Sequence, residues 1–119
     1  MNRALYYYTF SLTLFGVFMH VLGTLGLYRS EMPKGLHMLL YAAGIMVLIG
    51  LNNKSLWGYI LALVIYLEQF AMQGYWGLQS FSRGHFIQPM VICPMVMLAL
   101  WALVFNRRVF LSRQQALSN

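Results

Sequence analysis

Apolar residues run through this chain in four long blocks, at about residues 4–28, 35–51, 56–78 and 88–105, separated by short polar connections. Each block is continuous rather than alternating, which argues for helices and against the strands of a membrane barrel. Each is near the roughly 20 residues a helix needs to cross a hydrocarbon core. Lipid offers the backbone no hydrogen bonds, so a crossing segment must satisfy its own N–H and C=O groups as a helix. The pattern predicts an all-α membrane protein with four transmembrane helices.

The connections set the expected topology. Arg29 to Lys34 joins the first and second spans, Asn52 to Ser55 the second and third, and Gln79 to Ile87 the third and fourth. Connections this short make successive helices antiparallel neighbours. The expected architecture is an up-down-up-down four-helix bundle, one integral membrane domain over residues 1–119, with a short basic tail at 106–119. Pro33 is placed to open the second helix and Ser55 to cap the third. The first block is longer than the h-region of about 7–15 residues in a signal peptide and has no small-residue cleavage site after it. It is expected to remain as a span.

Composition strengthens this picture. The chain is 61% hydrophobic and 8% charged, against roughly 25% charged in a typical soluble domain, so no polar coat is available. The net charge is +6, and the basic residues behind it lie at span ends, in connections or after the last span. Arg3, Lys54, Arg107, Arg108 and Arg113 fall on one side of the expected bundle, and Arg29, Lys34 and Arg83 on the other. Five against three places both termini in the cytoplasm, and a bacterial inner membrane is the expected host. The arginines after the last span would meet anionic headgroups, so membrane lipids are expected partners and nucleic acid is not. Tyr6, Tyr7, Tyr8, Tyr28, Trp57, Tyr59, Tyr75, Trp76 and Trp101 lie mostly near span ends, as in an aromatic belt.

Candidate chemistry is confined to polar stripes inside the spans. Thr9, Thr13, Gly16, His20 and Thr24 recur at steps of three and four in the first span, giving one inward face that packs closely at Gly16 and offers His20 to the interior. In the third span Tyr59, Ala62, Tyr66, Gln69, Gln73 and Trp76 form a similar stripe. Glu68 flanks it and is the only acidic residue within a span. A carboxylate in lipid costs roughly 2.5 kcal/mol or more on insertion scales, so Glu68 is expected to face protein or water and to have a partner. An ion pair or proton exchange with His20 is one option. A hydrogen-bonded clamp between helices is the bland alternative, with Gly58 and Ala62 supporting close packing. His37, near the membrane boundary, is expected to be wet, and a haem held by two histidines of one chain is not expected because His20 alone lies deep. Met90, Cys93 and Met97 share a face in the fourth span, with Pro94 adjacent, but no close pair of sulfur ligands supports a metal. Neither a metal nor another cofactor is expected.

Asp is absent, and no phosphate-binding loop, paired-histidine zinc motif or nucleophile elbow is present. An enzyme is therefore not expected, and a lipid-modifying activity through Glu68 and His20 is the weakest option. The leading expectation is a membrane protein that binds or passes a small solute, a proton or a lipophilic molecule. The site would lie between the first and third spans, built from Glu68, His20, Gln69, Gln73, Tyr66 and Thr13. Four helices leave little room for a central pathway, so a homo-oligomer is expected. The rival expectation is a non-catalytic accessory or immunity-type subunit of a larger membrane complex.

Overall fold

The structure, a computed structural model, describes residues 2–28, 32–81 and 87–118. Among these residues are five helices: α1 (Arg3–Thr24), α2 (Lys34–Asn52), α3 (Leu56–Ser80), α4 (Ile87–Phe105) and α5 (Arg107–Ser118). The first four are long and apolar enough to cross a membrane. Arg29 and Arg83, two of the basic residues in the charge balance, lie outside the described residues.

Local sequence explains most of the boundaries. Asn2 caps α1 by accepting from the Leu5 N–H, and Ser55 caps α3 by accepting from the Gly58 N–H. Pro33 precedes the first residue of α2. The first helix stops at Thr24, four residues short of the apolar block, because the chain turns at Gly26 with φ +72°. There the Leu27 N–H bonds the Leu22 carbonyl and the Gly26 N–H bonds the Gly23 carbonyl. This is the glycine-terminated helix end that satisfies the last carbonyls. An equivalent end closes α2, but the left-handed position is held by Lys54 at φ 51°.

The expected tail at 106–119 is instead a 12-residue helix, α5. Asn106 breaks the chain between α4 and α5, and its side chain explains why the break is fixed. Its Oδ1 accepts from the Asn2 N–H at 2.8 Å, and its Nδ2 donates to the Asn2 carbonyl at 3.3 Å. Phe110 of α5 is fully buried and stacks on Tyr59, centroids 5.0 Å apart. Two aromatic rings removed from solvent hold α5 against the start of α3.

Around the ring, α1 packs on α2, α2 on α3, α3 on α4, and α4 closes on α1. The end of α1 meets the start of α2 at His20 and His37, and the end of α2 meets the start of α3 at Gly50 and Gly58. The end of α3 meets the start of α4 at Gly77 and Pro89. Successive helices thus run in opposite senses. At Gly50 and Gly58 a Cβ on either residue would run into the other's Cα, so only glycine permits this backbone approach. Val47, Leu51, Ala62, Val96 and Ala99 fill the core between the helices.

Candidate functional site

The first polar cluster lies at the centre of the ring. Tyr59, Ala62 and Tyr66 are buried on the inward face of α3, as their spacing requires. The Tyr66 side chain is long enough to reach across the diagonal to α1, with which α3 shares no close backbone approach. Its hydroxyl lies 2.6 Å from Thr13 Oγ1 and also donates to the Thr9 carbonyl at 3.1 Å. Thr9 donates to the Leu5 carbonyl one turn back, and Thr13 Oγ1, 2.8 Å from the Thr9 carbonyl, shares its single hydrogen between that carbonyl and the Tyr66 oxygen. Two residues proposed for one site, Thr13 and Tyr66, are therefore in contact. They form a hydrogen-bond set that bridges α1 and α3, and every buried side-chain polar atom among the described residues is satisfied.

The second cluster pairs two histidines. His20 Nδ1 and His37 Nδ1 are 2.9 Å apart, which requires one ring to carry the proton there and the other to accept it. His37 is only 2% exposed, so the expectation of a wet His37 is corrected, although it lies in the first turn of α2, near the helix end. The expectation that His20 stands alone at depth is corrected with it. The cause is Gly23. A Cβ there would sit 2.6 to 2.8 Å from three atoms of the His37 ring. The missing side chain leaves the notch that admits the imidazole. The ring of Tyr28 stands edge-on to His37, centroids 6.0 Å apart. Gly16, by contrast, has nothing within 4 Å of an added Cβ. The close packing expected at Gly16 occurs instead at Gly23 and at Gly44, which faces Val17.

The third cluster is on the outside. Glu68 is exposed, and its carboxylate accepts from Gln69 Nε2 at 2.8 Å. The expected ionic partner His20 is elsewhere. Thr13 and Tyr66 mark a common height on α1 and α3, which run in the same sense. At about 1.5 Å per helical residue, His20 lies about 10 Å beyond that height and Glu68 about 3 Å beyond it. Glu68 is two residues from Tyr66, about 200° around the helix from the inward face. Gln69 and Gln73 are half-buried between these extremes. The six residues thus divide into an interior pair, an outward pair, His20 in a new pair with His37, and Gln73 beside the outward pair.

No group of three or more potential ligands among His, Cys, Asp and Glu occurs in the described residues. Met90 and Met97 are more than half exposed and Cys93 is half-buried, so that sulfur face points largely outward. The aromatic belt divides as well. Tyr7, Trp57, Tyr75, Trp76 and Trp101 are exposed. Tyr6 and Tyr8 instead turn inward and donate to the carbonyls of Leu51 and Met95, at 2.9 and 2.7 Å. Comparison with protein-family models, with curated proteins and with solved structures finds no match.

Proposed function

We propose that this chain is a non-catalytic integral membrane subunit that works by docking against protein through the outward face of α3. In this reading α1 to α4 cross the membrane as an up-down bundle, with both termini in the cytoplasm of a bacterial inner membrane. The five basic residues on the terminal side against three in the opposite connections support the orientation. The Asn2–Asn106 bonds, which hold the start of α1 against the junction of α4 and α5, are in keeping with it.

One observation carries the proposal: Glu68, the central residue of the 25-residue helix α3, is exposed on the surface of the single chain. A helix of that length reaches about 37 Å, so Glu68 lies about 18 Å from either end. Its side chain is far too short to snorkel through half of a hydrocarbon core about 30 Å thick. A charged group at that depth costs about 3 kcal/mol on insertion scales, and ionisable groups inside membranes almost always face protein or a water-filled space. Among the described residues, Glu68 has a hydrogen bond from Gln69. The remaining cover must come from outside the chain. Tyr66 and Thr13 bridge α3 and α1 through a buried hydrogen bond, which favours docking over passage of a solute through the monomer.

The test is to extract the chain in patches of its own membrane and measure the mass of the assembly. The expected result is a stoichiometric complex that Glu68→Leu dissolves while the variant stays abundant and helical. A monomer in both cases would overturn the proposal.

The His20–His37 pair favours a second reading, the binding of a proton or a small polar solute near the end of the bundle away from the termini. The two rings share one proton between their Nδ1 atoms, so a change of tautomer at one imposes the opposite change at the other. Loss of a solute-dependent response in His37→Ala, with Glu68→Leu unaffected, would select this reading over docking.

A further inference from the structure

The outward face of α3 is a continuous stripe. Trp57, Val64, Glu68, Ala71, Tyr75 and Leu78 follow one another at intervals of seven, four, three, four and three residues, and all are exposed. That is the spacing by which one helix presents a seam to another, with knobs every three or four residues. Among the described residues, α2 and α4 pack on the opposite side of α3 and leave the stripe from Val64 to Leu78 exposed. At its centre are Glu68 and, one turn on, the small Ala71, where a second helix can approach closely.

The occupant follows from what can satisfy a carboxyl group at that height. A carboxyl holding a proton is both donor and acceptor, so it is complementary to a second carboxyl. A two-fold axis along the membrane normal keeps both copies in the same orientation. Their α3 helices then run parallel and each residue near the axis meets its own counterpart. Every Lys and Arg of this chain lies in a connection, at a helix end or beyond α4. His20 is tied to His37 on another element. The groups a second copy can bring to Glu68 are therefore another Glu68 and its neighbour Gln69.

We infer that the outward face of α3 packs against the same face of a second copy, with the two Glu68 carboxyls meeting in mid-membrane and holding a proton between them. The inference rests on the reading of that face as covered by protein, and it names the cover. Each carboxyl also keeps its bond from Gln69 of its own chain, so both oxygens of each group are engaged. Trp57 at one end and Tyr75 at the other frame the seam.

Disulfide trapping in native membranes tests it. In a Cys93→Ala background, single cysteines are placed at Val64, Ala71 and Tyr75 on the seam, and at Leu14 and Phe18 on the exposed face of α1. Mild oxidation is expected to give a species of two identical chains from the seam positions and none from α1. In Ala71→Cys the yield is expected to persist with Glu68→Gln, whose amide is also donor and acceptor, and to fall several-fold with Glu68→Leu. Loss of the two-chain species in Glu68→Gln would overturn the carboxyl pairing. A trapped species containing a different protein would overturn the second copy while leaving the face covered by protein. Free labelling of the seam cysteines by a lipid-soluble maleimide, with no trapped species, would overturn both.

Discussion

The Tyr66 hydroxyl lies 2.6 Å from the hydroxyl of Thr13, across the diagonal between two helices whose backbones do not come close. Tyr66 also donates to the Thr9 carbonyl, so one phenol joins α3 to two successive residues of the α1 stripe. Removing the hydroxyl with Tyr66→Phe is expected to destabilise the fold by about 1 kcal/mol, in the range measured for side-chain hydrogen bonds between membrane helices. Thr13→Val is expected to cost a similar amount. The double variant should cost less than the sum, with a coupling of about 0.6 kcal/mol. Denaturant titration in detergent micelles, followed by helix content, reads all three.

The close approach of α2 and α3 depends on two glycines. A Cβ at Gly58 would strike the backbone of Gly50, which cannot yield as the tip of a flexible side chain can. Gly58→Ala is therefore expected to destabilise by about 1–3 kcal/mol, the usual effect of overpacking. Gly16→Ala, with nothing within 4 Å of the added atom, is expected to be neutral or slightly stabilising. The same titration compares the two, and equal effects would contradict the packing described.

The histidine pair depends on Gly23. Gly23→Ala is expected to expel the His37 ring from its notch and break the bond to His20, because three ring atoms lie within 2.8 Å of the added carbon. The reporter is modification of the imidazoles by diethyl pyrocarbonate. In the parent chain His37 should react slowly, as its burial requires. In Gly23→Ala it should react several-fold faster, and an unchanged rate would contradict the arrangement.

Lys54 holds a left-handed conformation at φ 51° that glycine holds at the equivalent end of α1. That conformation costs a residue with a Cβ about 1 kcal/mol. Lys54→Gly is expected to raise stability by about 0.5–1 kcal/mol, less whatever the extra freedom of glycine costs in the unfolded chain. A loss of stability on replacement would show that the Lys54 side chain has a role beyond closing the helix.

The four long helices were legible from the apolar blocks because a continuous run of that length has few other solutions. The caps at Ser55 and Pro33 were legible from local chemistry. The stop at Thr24 was not read, although Gly26 marks it, because the apolar block continues through Leu27 and hides the turn. The α5 helix was missed because its fixed points are long-range: Asn106 bonds Asn2 and Phe110 packs on Tyr59. In the candidate site, helical spacing placed Thr13 and Tyr66 on facing stripes, and they meet. Spacing alone could not pair His20 with His37, since that contact depends on the notch at Gly23, on how α1 and α2 cross. The position of Glu68 beside the inward stripe was visible in the sequence. That it faces fully outward became clear only with the inward centre fixed at Ala62 and Tyr66.

The most direct measurement concerns Glu68 itself. A lipid-soluble carbodiimide reacts with a carboxyl group that it can reach within the membrane. The proposed docking predicts that labelling of Glu68 is slow in native membranes and rises several-fold once detergent separates the chains. Labelling that is equally fast and complete in the native membrane would show Glu68 open to lipid and would contradict the docked face of α3.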